Sequence, residues 1–454
     1  MNFKTINPAT GEVLKEYTTV NTSAAIRVAR EVHDAFPTWK KTDISERAAL
    51  LKKLATVLRK HKDVYARLMT MEMGKPITRG IAEIEKCAWT AEVYAERGEE
   101  WLEEETVAAD GKKNLVTFEP LGTVLSIMPW NFPFWQAFRF AIPALTAGNT
   151  VVLRHSNVVP ECALAIERVF IDAGFPKNVF KTIITDHDAV AALIASPSID
   201  GVSLTGSVQA GQRIGELAGK NLKKCVLELG GSDPFIVLDD VDIDAVADQA
   251  AQARVTNSGQ SCVAAKRFIV HRKIADAFTR RFVEHTKALK VGDPMLPETE
   301  VGPLVSMDQL VTIKKQLDDS VKAGARVLVG GKRQGTKGFF FAPTVMDKVT
   351  PAMRIVKEEV FGPIAPVLIA KDDAEALKLA NASEFGLGAS VWTRDEKRAM
   401  RFARGLEVGV VAINAQVKSD PRMPFGGVKK SGIGRELSKY GLREFMNVKA
   451  INVY

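Results

Sequence analysis

The sequence predicts an α/β protein built from two domains that each contain a mainly parallel sheet. Short β-rich segments alternate with helical segments over residues 121–430, and this alternation is typical of βαβ units. The first hundred residues instead carry apolar side chains at helical spacing. Two β-rich segments, 102–120 and 448–453, have no strand next to them in the chain. We expect them to form one small sheet that another subunit would complete.

Length and composition agree with this fold class. The chain has 454 residues, enough for two or three domains, and its 46% hydrophobic and 26% charged residues are ordinary for a globular protein. These values exclude disorder, collagen and coiled coil. The net charge of +8 is spread along the chain without a basic arm, so we expect no nucleic-acid partner.

The first helix is predicted to begin at Thr22 or Ser23, either of which can cap it. A second helix opens near residues 43–45 and ends at Gly74, where the pattern stops. Their apolar faces are Ala25, Val28, Ala29, Val32 and Phe36 in the first, and Leu51, Leu54, Ala55 and Leu58 in the second. We interpret both faces as packing surfaces.

The predicted strands fall into two sets. An uncharged stretch, 120–138, is nearly long enough for a membrane span, but Gly122, Pro129 and Pro133 interrupt it, so we expect a buried strand, turn and helix and no membrane partner. The first set is 123–128, 150–154, 179–184, 201–205 and 224–229; the second is 267–270, 326–330, 363–370, 388–393 and 409–414. Ligands of such sheets bind beyond the carboxyl ends of the strands.

The cysteine and histidine spacing predicts neither disulfides nor a metal site. The four cysteines (Cys87, Cys162, Cys225 and Cys262) contain no CxxC pair, and the six histidines contain no HxxxH or HExxH. The N-terminus has no apolar signal segment. We therefore expect a reducing compartment, the cytoplasm.

Three side chains stand where such sheets present their ligands. Cys262 lies in a turn of small residues, where a thiol is either a nucleophile or inert. Glu228 ends an apolar strand, which fits either a base of raised pKa or a buried ion pair. Asn131 follows another strand, and its amide can donate to an oxyanion or serve as a helix cap.

The common nucleotide-binding motifs are missing from the sequence. No GxGxxG follows a strand, and no GxxxxGK[ST] is present. Gly206, Ser207 and Gly211 lie between a predicted strand and a predicted helix, whose first N–H groups could hold a pyrophosphate. A plain tight turn explains the same residues equally well.

Seven motifs in order give the chain an end-to-end resemblance to the NAD(P)-dependent aldehyde dehydrogenase superfamily. They are NPATGE at 7–12, PWNFP at 129–133, LTGS at 204–207, LELGG at 227–231, GQSC at 259–262, EEVFGP at 358–363 and PFGG at 424–427. The resemblance implies a Rossmann-like cofactor domain (1–101 and 121–230), a catalytic domain (231–430) and a small bridging β-sheet for oligomerisation (102–120 and 438–454), and with it a homodimer or homotetramer.

The same resemblance implies roles for individual residues. Cys262 would be the nucleophile, Asn131 the oxyanion donor and Glu228 the base that hydrolyses a thioester, since relatives that transfer the acyl group to coenzyme A lack this glutamate. Glu359 and Phe361 resemble the pair that positions the nicotinamide ribose and ring. The remaining cofactor-binding candidates are Ile127, Pro129, Trp130, Arg154, His155, Ser156, Asn157, Gly206, Ser207, Gly211, Leu229 and Gly230.

One departure from the family pattern concerns the choice of cofactor. Many relatives have Lys-Pro-x-Glu where this chain has Arg154-His155-Ser156-Asn157, so a carboxylate that would repel a 2′-phosphate is missing. We expect NADP to be used at least as well as NAD. Alternatively, Asn157 binds both ribose hydroxyls and the preference is unchanged.

The RHSN, AAKR and GVKKS segments resemble bacterial-type succinate-semialdehyde dehydrogenases. A carboxylate substrate needs a cationic partner, and the substrate-binding candidates are Arg139, Arg254, Arg422 and the hydroxyl of Ser419. A surface or helix-end ion pair is nevertheless the commoner role of any single arginine. Lactaldehyde or another small aldehyde is the alternative substrate. A non-catalytic, crystallin-like protein would have lost Cys262 or Glu228, and a thiol hydrolase would need a histidine that these motifs lack.

Overall fold

The computed structural model describes residues 2–454, which fold into two large helix-covered sheets and a small three-stranded sheet. In chain order the α-helices are α1 (Thr22–Trp39), α2 (Ile44–Lys60), α3 (Lys62–Met73), α4 (Ile77–Leu102), α5 (Pro133–Thr146), α6 (Pro160–Asp172), α7 (His187–Ala195), α8 (Val208–Lys220), α9 (Ile243–Arg254), α10 (Ala275–Ala288), α11 (Met307–Lys322), α12 (Arg354–Lys357), α13 (Asp373–Asn381), α14 (Glu396–Gly405) and α15 (Ser438–Arg443).

The strands follow the predicted order with several additions. They are β1 (Asn2–Ile6), β2 (Val13–Thr18), β3 (Glu105–Thr106), β4 (Lys113–Pro120), β5 (Thr123–Met128), β6 (Thr150–His155), β7 (Phe180–Thr182), β8 (Gly201–Thr205), β9 (Lys224–Glu228), β10 (Pro234–Val237), β11 (Arg267–His271), β12 (Arg326–Val329), β13 (Thr344–Asp347), β14 (Ile364–Ala370), β15 (Phe385–Gly386), β16 (Gly388–Trp392), β17 (Val410–Ile413), β18 (Val428–Lys429), β19 (Gly432–Ile433) and β20 (Met446–Val453).

The first large sheet has the order β19-β9-β8-β5-β6-β7. All neighbours from β9 to β7 are parallel, while β19 returns from the end of the chain and pairs antiparallel with β9. In that pairing Gly432 lies opposite Glu228. The residues that follow β5, β6, β8 and β9 therefore meet along one edge of this sheet.

The second large sheet has the order β12-β13-β14-β11-β10-β16-β17 and is parallel except for β12. Two of its strands, β10 and β13, were not predicted. No helix separates β10 from β9 or β13 from β12, so neither strand fits the strand–helix alternation on which the prediction rested. The hairpin of β1 and β2 was also missed.

The small sheet confirms the predicted pairing of two distant segments. Strand β20 runs antiparallel to β4 over eight residue pairs, from Met446 opposite Pro120 to Val453 opposite Lys113, and β3 lies on the other side of β4. Both segments belong to the same chain. Strand β20 is thus an edge strand along its whole length.

The N-terminal helices differ in detail from the prediction. Asn21, not Thr22 or Ser23, caps α1, since its side chain accepts a hydrogen bond from the Ala24 N–H at 2.9 Å. The second predicted helix is two helices, which meet at His61.

The uncharged stretch at 120–138 forms β5 and the first half of α5. Every residue of α5 is buried, which places it between the first sheet and the N-terminal helices. A search of residues 2–454 finds no helix that is long and apolar enough to cross a bilayer. Helix α5 thus carries Gln136 and Arg139 into the interior, next to the site described below.

Candidate active site

Two cavities meet at Cys262. The larger has a volume of about 430 Å³ and the smaller about 270 Å³, and the residues that line both are Cys262 and Gln136. Asn131 and Glu359 line the smaller cavity but not the larger one. A thiol shared by two cavities can face one molecule from each side.

A turn of unusual backbone conformation presents Cys262. Asn257, Ser258 and Gly259 have φ values of 52°, 57° and 77°, a left-handed run that costs conformational energy at the first two residues. Hydrogen bonds hold the turn: the Asn257 side-chain amide donates to the Asn131 carbonyl at 2.7 Å and to the Gln260 carbonyl at 3.1 Å. A side chain at Gly259 would overlap Pro363, whose nitrogen would lie 2.7 Å from the added Cβ.

A buried ammonium lies under the same loop. The Lys266 Nζ donates to the carbonyls of Ser261 at 2.8 Å and Cys262 at 2.7 Å, and lies 3.5 Å from the Glu359 carboxylate. Burial raises the pKa of the Cys262 thiol to about 12, while the charges of Lys266 and Arg139 act in the opposite direction. Lys266 therefore stabilises the thiolate.

The side chain of Asn131 has a fixed orientation. Its Nδ2 donates to the Gln260 carbonyl at 3.1 Å, and its Oδ1 accepts from the Gln136 Nε2 at 3.0 Å. The amide nitrogen, and not the oxygen, thus faces the cysteine loop. An N–H held in this way beside a nucleophile suits an oxyanion.

Glu228 is buried at the end of β9 and does not line either cavity. Its Oε1 has no hydrogen-bond partner among residues 2–454, and an added Cβ at Gly426 would lie 2.7 Å from it. Burial, and then the charge of Glu436, raises the pKa of Glu228 well above its ordinary value. The carboxyl must turn toward Cys262 to act there as a base.

Arg139 forms a buried ion pair with Glu436 and donates to the Thr205 Oγ1 at 3.2 Å. Its guanidinium also lies over the Phe425 ring, 4.9 Å from the centroid. Because one carboxylate already balances its charge, Arg139 adds little net positive charge to the larger cavity that it lines.

The other predicted carboxylate-binding residues differ in whether they reach the larger cavity. Ser419 lines the larger cavity, but Arg254 and Arg422 do not. The buried Arg254 guanidinium donates to the carbonyls of Gly259 at 2.9 Å and Val360 at 3.3 Å, so it supports the cysteine loop. Arg422 is exposed, and its guanidinium pairs with Asp420 at 2.7 Å.

The smaller cavity has features that suit the part of a dinucleotide that would lie next to Cys262. Trp130 and Phe361 form an edge-to-face pair with centroids 5.7 Å apart, which leaves aromatic surface for a planar ring. The Glu359 Oε1 accepts from the Gly231 N–H at 3.0 Å, while its Oε2 lies over Gly230, where any Cβ would overlap it. Helix α8 begins beside this cavity, so its N–H groups are available to an anion. The lining residues from the prediction are Pro129, Trp130, Gly206, Ser207, Leu229, Gly230, Glu359 and Phe361.

Two predicted cofactor residues have a packing role. A Cβ at Gly211 would lie 2.5 Å from the Leu229 side chain, so this glycine lets α8 approach the end of β9. Ile127 is buried within β5, in the apolar core of the first sheet.

The segment 154–157, which contains the last two residues of β6 and the two that follow it, contributes less positive charge than expected. His155 is buried, its Nε2 bonds the Pro133 carbonyl at 2.9 Å, and its Nδ1 accepts from the Ser156 N–H at 2.9 Å. Burial lowers the pKa of His155 to about 4, so this ring is neutral at physiological pH. Arg154 donates to the Thr185 carbonyl at 3.3 Å, and the buried Asn157 Oδ1 has no partner within the described chain.

Several residues of the site were not predicted from the sequence. Gln136 lies on α5 five residues after Asn131, and a helix leaving the PWNFP turn could have indicated it. Glu436 and Lys86 come from distant parts of the chain, and their own segments give no sign of a partner.

Comparison with known proteins identifies the family of this chain. The chain matches the aldehyde dehydrogenase family over residues 1–451. It is 44% identical to a probable NADP+ succinate-semialdehyde dehydrogenase of Synechocystis, and the match covers 99% of both chains. It is 45% identical to an NAD(P)+ succinate semialdehyde dehydrogenase of Escherichia coli, over 98% of this chain and 96% of the other.

A solved structure has the same fold. The succinic semialdehyde dehydrogenase of Streptococcus pyogenes, determined in complex with NADP+, superposes with a TM-score of 0.97 at 36% identity and covers 99% of each chain. The family motifs, the cavities around Cys262 and these matches lead to one conclusion: the chain belongs to the aldehyde dehydrogenase family.

Proposed function

We propose that this enzyme oxidises succinate semialdehyde to succinate with NADP+ or NAD+ as the electron acceptor. The observation that carries the proposal is the position of Cys262, which lines two cavities, one with cationic and one with dinucleotide-binding features. The relatives named above as succinate-semialdehyde dehydrogenases support the choice of substrate.

In the first half of the reaction, the Cys262 thiolate adds to the aldehyde carbon, and the thiol proton leaves to solvent. The oxygen of the resulting thiohemiacetal becomes an oxyanion, which the Asn131 Nδ2 and the backbone N–H of Cys262 stabilise. Lys266 holds the loop carbonyls behind the sulfur throughout. When bound, NADP+ or NAD+ supplies the acceptor for the hydride that leaves this carbon.

In the second half, Cys262 carries the acyl group as a thioester. Glu228 turns toward it and takes a proton from water, whose oxygen attacks the acyl carbon. The carbon–sulfur bond breaks, the thiolate is restored and the acid leaves. A carboxylate whose pKa is raised by burial suits this task, since a stronger base is formed once it ionises.

The residues present suit both dinucleotides. Asn157 brings no negative charge against a 2′-phosphate, and Arg154 keeps a cation in the same segment. His155 is neutral and adds no charge. We therefore propose that NADP+ is used at least as well as NAD+.

We further propose a homodimer or homotetramer that assembles through β20 and works in the cytoplasm. The exposed apolar side chains Val448, Ile451 and Val453 on this edge strand support pairing with a second copy. The free thiols support a reducing compartment. Sedimentation velocity will give the assembly state, and a monomer at micromolar concentration would contradict it.

The function itself is tested by an aldehyde panel with both cofactors. Succinate semialdehyde should give the highest kcat/KM among succinate semialdehyde, lactaldehyde and butanal, and Cys262→Ser should abolish reduction of the cofactor. A higher kcat/KM for lactaldehyde or butanal would overturn the proposed substrate. A hundredfold preference for NAD+ would overturn the cofactor proposal.

A further inference from the structure

The larger cavity contains one anchored cation that has no anion. Lys86, on α4, lines this cavity. No carboxylate within residues 2–454 forms an ion pair with it, and the charges of Glu83 and Asp420 offset its burial and the repulsion from Arg139 only in part. Lys75 in the same wall is paired with Glu83, and Arg139 is paired with Glu436. The positive charge of Lys86 is therefore left over for a ligand.

The ammonium of Lys86 is held in place. Its Nζ donates to the Ser419 Oγ at 2.7 Å and lies 4.2 Å from the centroid of the Trp135 ring. Ser419 and Trp135 also line the cavity, so the three side chains form one wall. The cations Arg79 and Lys418, by contrast, are exposed at the cavity edge.

Partial burial of this charge costs desolvation free energy. Burial, and then repulsion from Arg139, lowers the pKa of Lys86 to about 8. A buried cation is normally paired, and one without a partner beside a reactive thiol is typical of a binding site. An anionic ligand would relieve both the desolvation and the repulsion.

We propose that Lys86 joins Ser419, already a substrate-binding candidate from the family resemblance, in binding the carboxylate of the substrate, an inference that rests on the proposed function. The Ser419 oxygen accepts from Lys86, so its own O–H remains free to donate to one carboxylate oxygen. The remaining N–H groups of Lys86 donate to the other. The Trp135 ring and Phe425 supply apolar walls for the methylene groups between the carboxylate and the aldehyde.

The test compares two four-carbon aldehydes, succinate semialdehyde and butanal, which differ by the carboxylate. Lys86→Met keeps the apolar stem and should lower kcat/KM for succinate semialdehyde about 10- to 100-fold, mainly through KM, because a charge-assisted bond is lost. It should leave butanal within about twofold. Ser419→Ala should give a smaller loss in the same direction. Lys62→Met removes a half-buried lysine of α3 that pairs with Glu85 on α4, outside the cavity, and it should change kcat/KM for neither substrate.

A binding measurement keeps this test independent of the physiological substrate. Succinate should inhibit butanal oxidation by the unaltered enzyme competitively, and Lys86→Met should weaken that inhibition at least about tenfold. Equal losses for both aldehydes, or a larger loss in Lys418→Met than in Lys86→Met, would overturn the role of Lys86. Poor turnover of succinate semialdehyde with intact, Lys86-dependent inhibition by succinate would overturn only the proposed substrate.

Discussion

The ammonium of Lys266 donates a hydrogen bond to the backbone carbonyl of Cys262 at 2.7 Å, from a position with almost no solvent exposure. The same nitrogen lies 3.5 Å from Glu359, which lines the proposed dinucleotide cavity. One buried charge thus contacts both the cysteine loop and the cofactor side of the site.

Replacing Lys266 should make the thiol less reactive. Lys266→Met removes a charge that favours the thiolate, so the pKa of Cys262 rises further and its ionised fraction falls about tenfold per pKa unit at a given pH. The rate of inactivation by iodoacetamide, measured from pH 7 to 10, should shift to higher pH. Lys273→Met, a change at an exposed lysine that pairs with Asp239, serves as the control. An unshifted pH profile would contradict the electrostatic role.

Replacing Glu228 should separate the two halves of the reaction. In Glu228→Gln the thioester still forms but water is not activated, so we expect a burst of one reduced cofactor per subunit followed by very slow turnover. Stopped-flow absorbance and intact-protein mass spectrometry, which should show the added acyl group, check this. Glu384→Gln on the surface should retain steady-state turnover. A variant that lacks both the burst and the adduct would exclude the proposed role.

The pH dependence of deacylation follows from the same residue. Burial and Glu436 raise the pKa of Glu228, whereas Arg139 and Arg435 oppose the shift and Glu444 adds to it. The base acts only when it is ionised, so deacylation should accelerate as pH rises through this raised pKa. In Glu228→Gln that rise should disappear.

Asn131 should matter for catalysis more than for binding. Asn131→Ala removes an oxyanion donor and should lower kcat about 10²- to 10³-fold. Cofactor affinity, measured by quenching of tryptophan fluorescence, should stay within a few-fold of the original value. A loss confined to cofactor affinity would contradict the oxyanion role.

Position 157 should control cofactor choice. Asn157→Glu places a carboxylate where a 2′-phosphate would be repelled, so the ratio of kcat/KM for NADP+ over NAD+ should fall about tenfold or more. The matched variant Asn157→Gln should leave the ratio nearly unchanged. Equal ratios in the two variants would show that this position does not sense the phosphate.

Glu83 should be essential for stability. Its buried Oε1 accepts from the N–H groups of Phe134 and Trp135 at 2.9 Å each, at the start of α5, and the same carboxylate pairs with Lys75. Glu83→Ala leaves that lysine buried without an anion and should lower the free energy of unfolding by about 3–5 kcal/mol. Glu85→Ala removes an exposed pair and should cost about 1 kcal/mol or less in chemical denaturation.

Much of the fold could be predicted because the strands of the first sheet are continuous apolar runs between helices. The pairing of β20 with β4 also followed from two strands without local partners. Strands β10 and β13 follow β9 and β12 with no helix between them, so they lie outside that alternation. The Arg139–Glu436 pair joins residues almost 300 positions apart, and only the packing of α5 against the end of the chain brings them together.

The site was predictable in its motifs but not in its charge balance. The sequence indicates which residue types cluster near Cys262. It does not distinguish an arginine that faces the substrate from one that binds backbone carbonyls. The Arg254 guanidinium donates its hydrogen bonds to backbone carbonyls, and that of Arg422 pairs with Asp420. Both arrangements depend on local backbone geometry. That Lys86 donates to Ser419 and forms no ion pair can be recognised only from the positions of the residues around it in the structure.

Cys262 lines both cavities, so each of them reaches the cysteine from its own side. A reactant on one side can therefore exchange while the other side stays filled. The carboxylic acid could depart before the spent dinucleotide, and a fresh dinucleotide could replace it without crossing the path of the next aldehyde. Such an arrangement permits either order of product release.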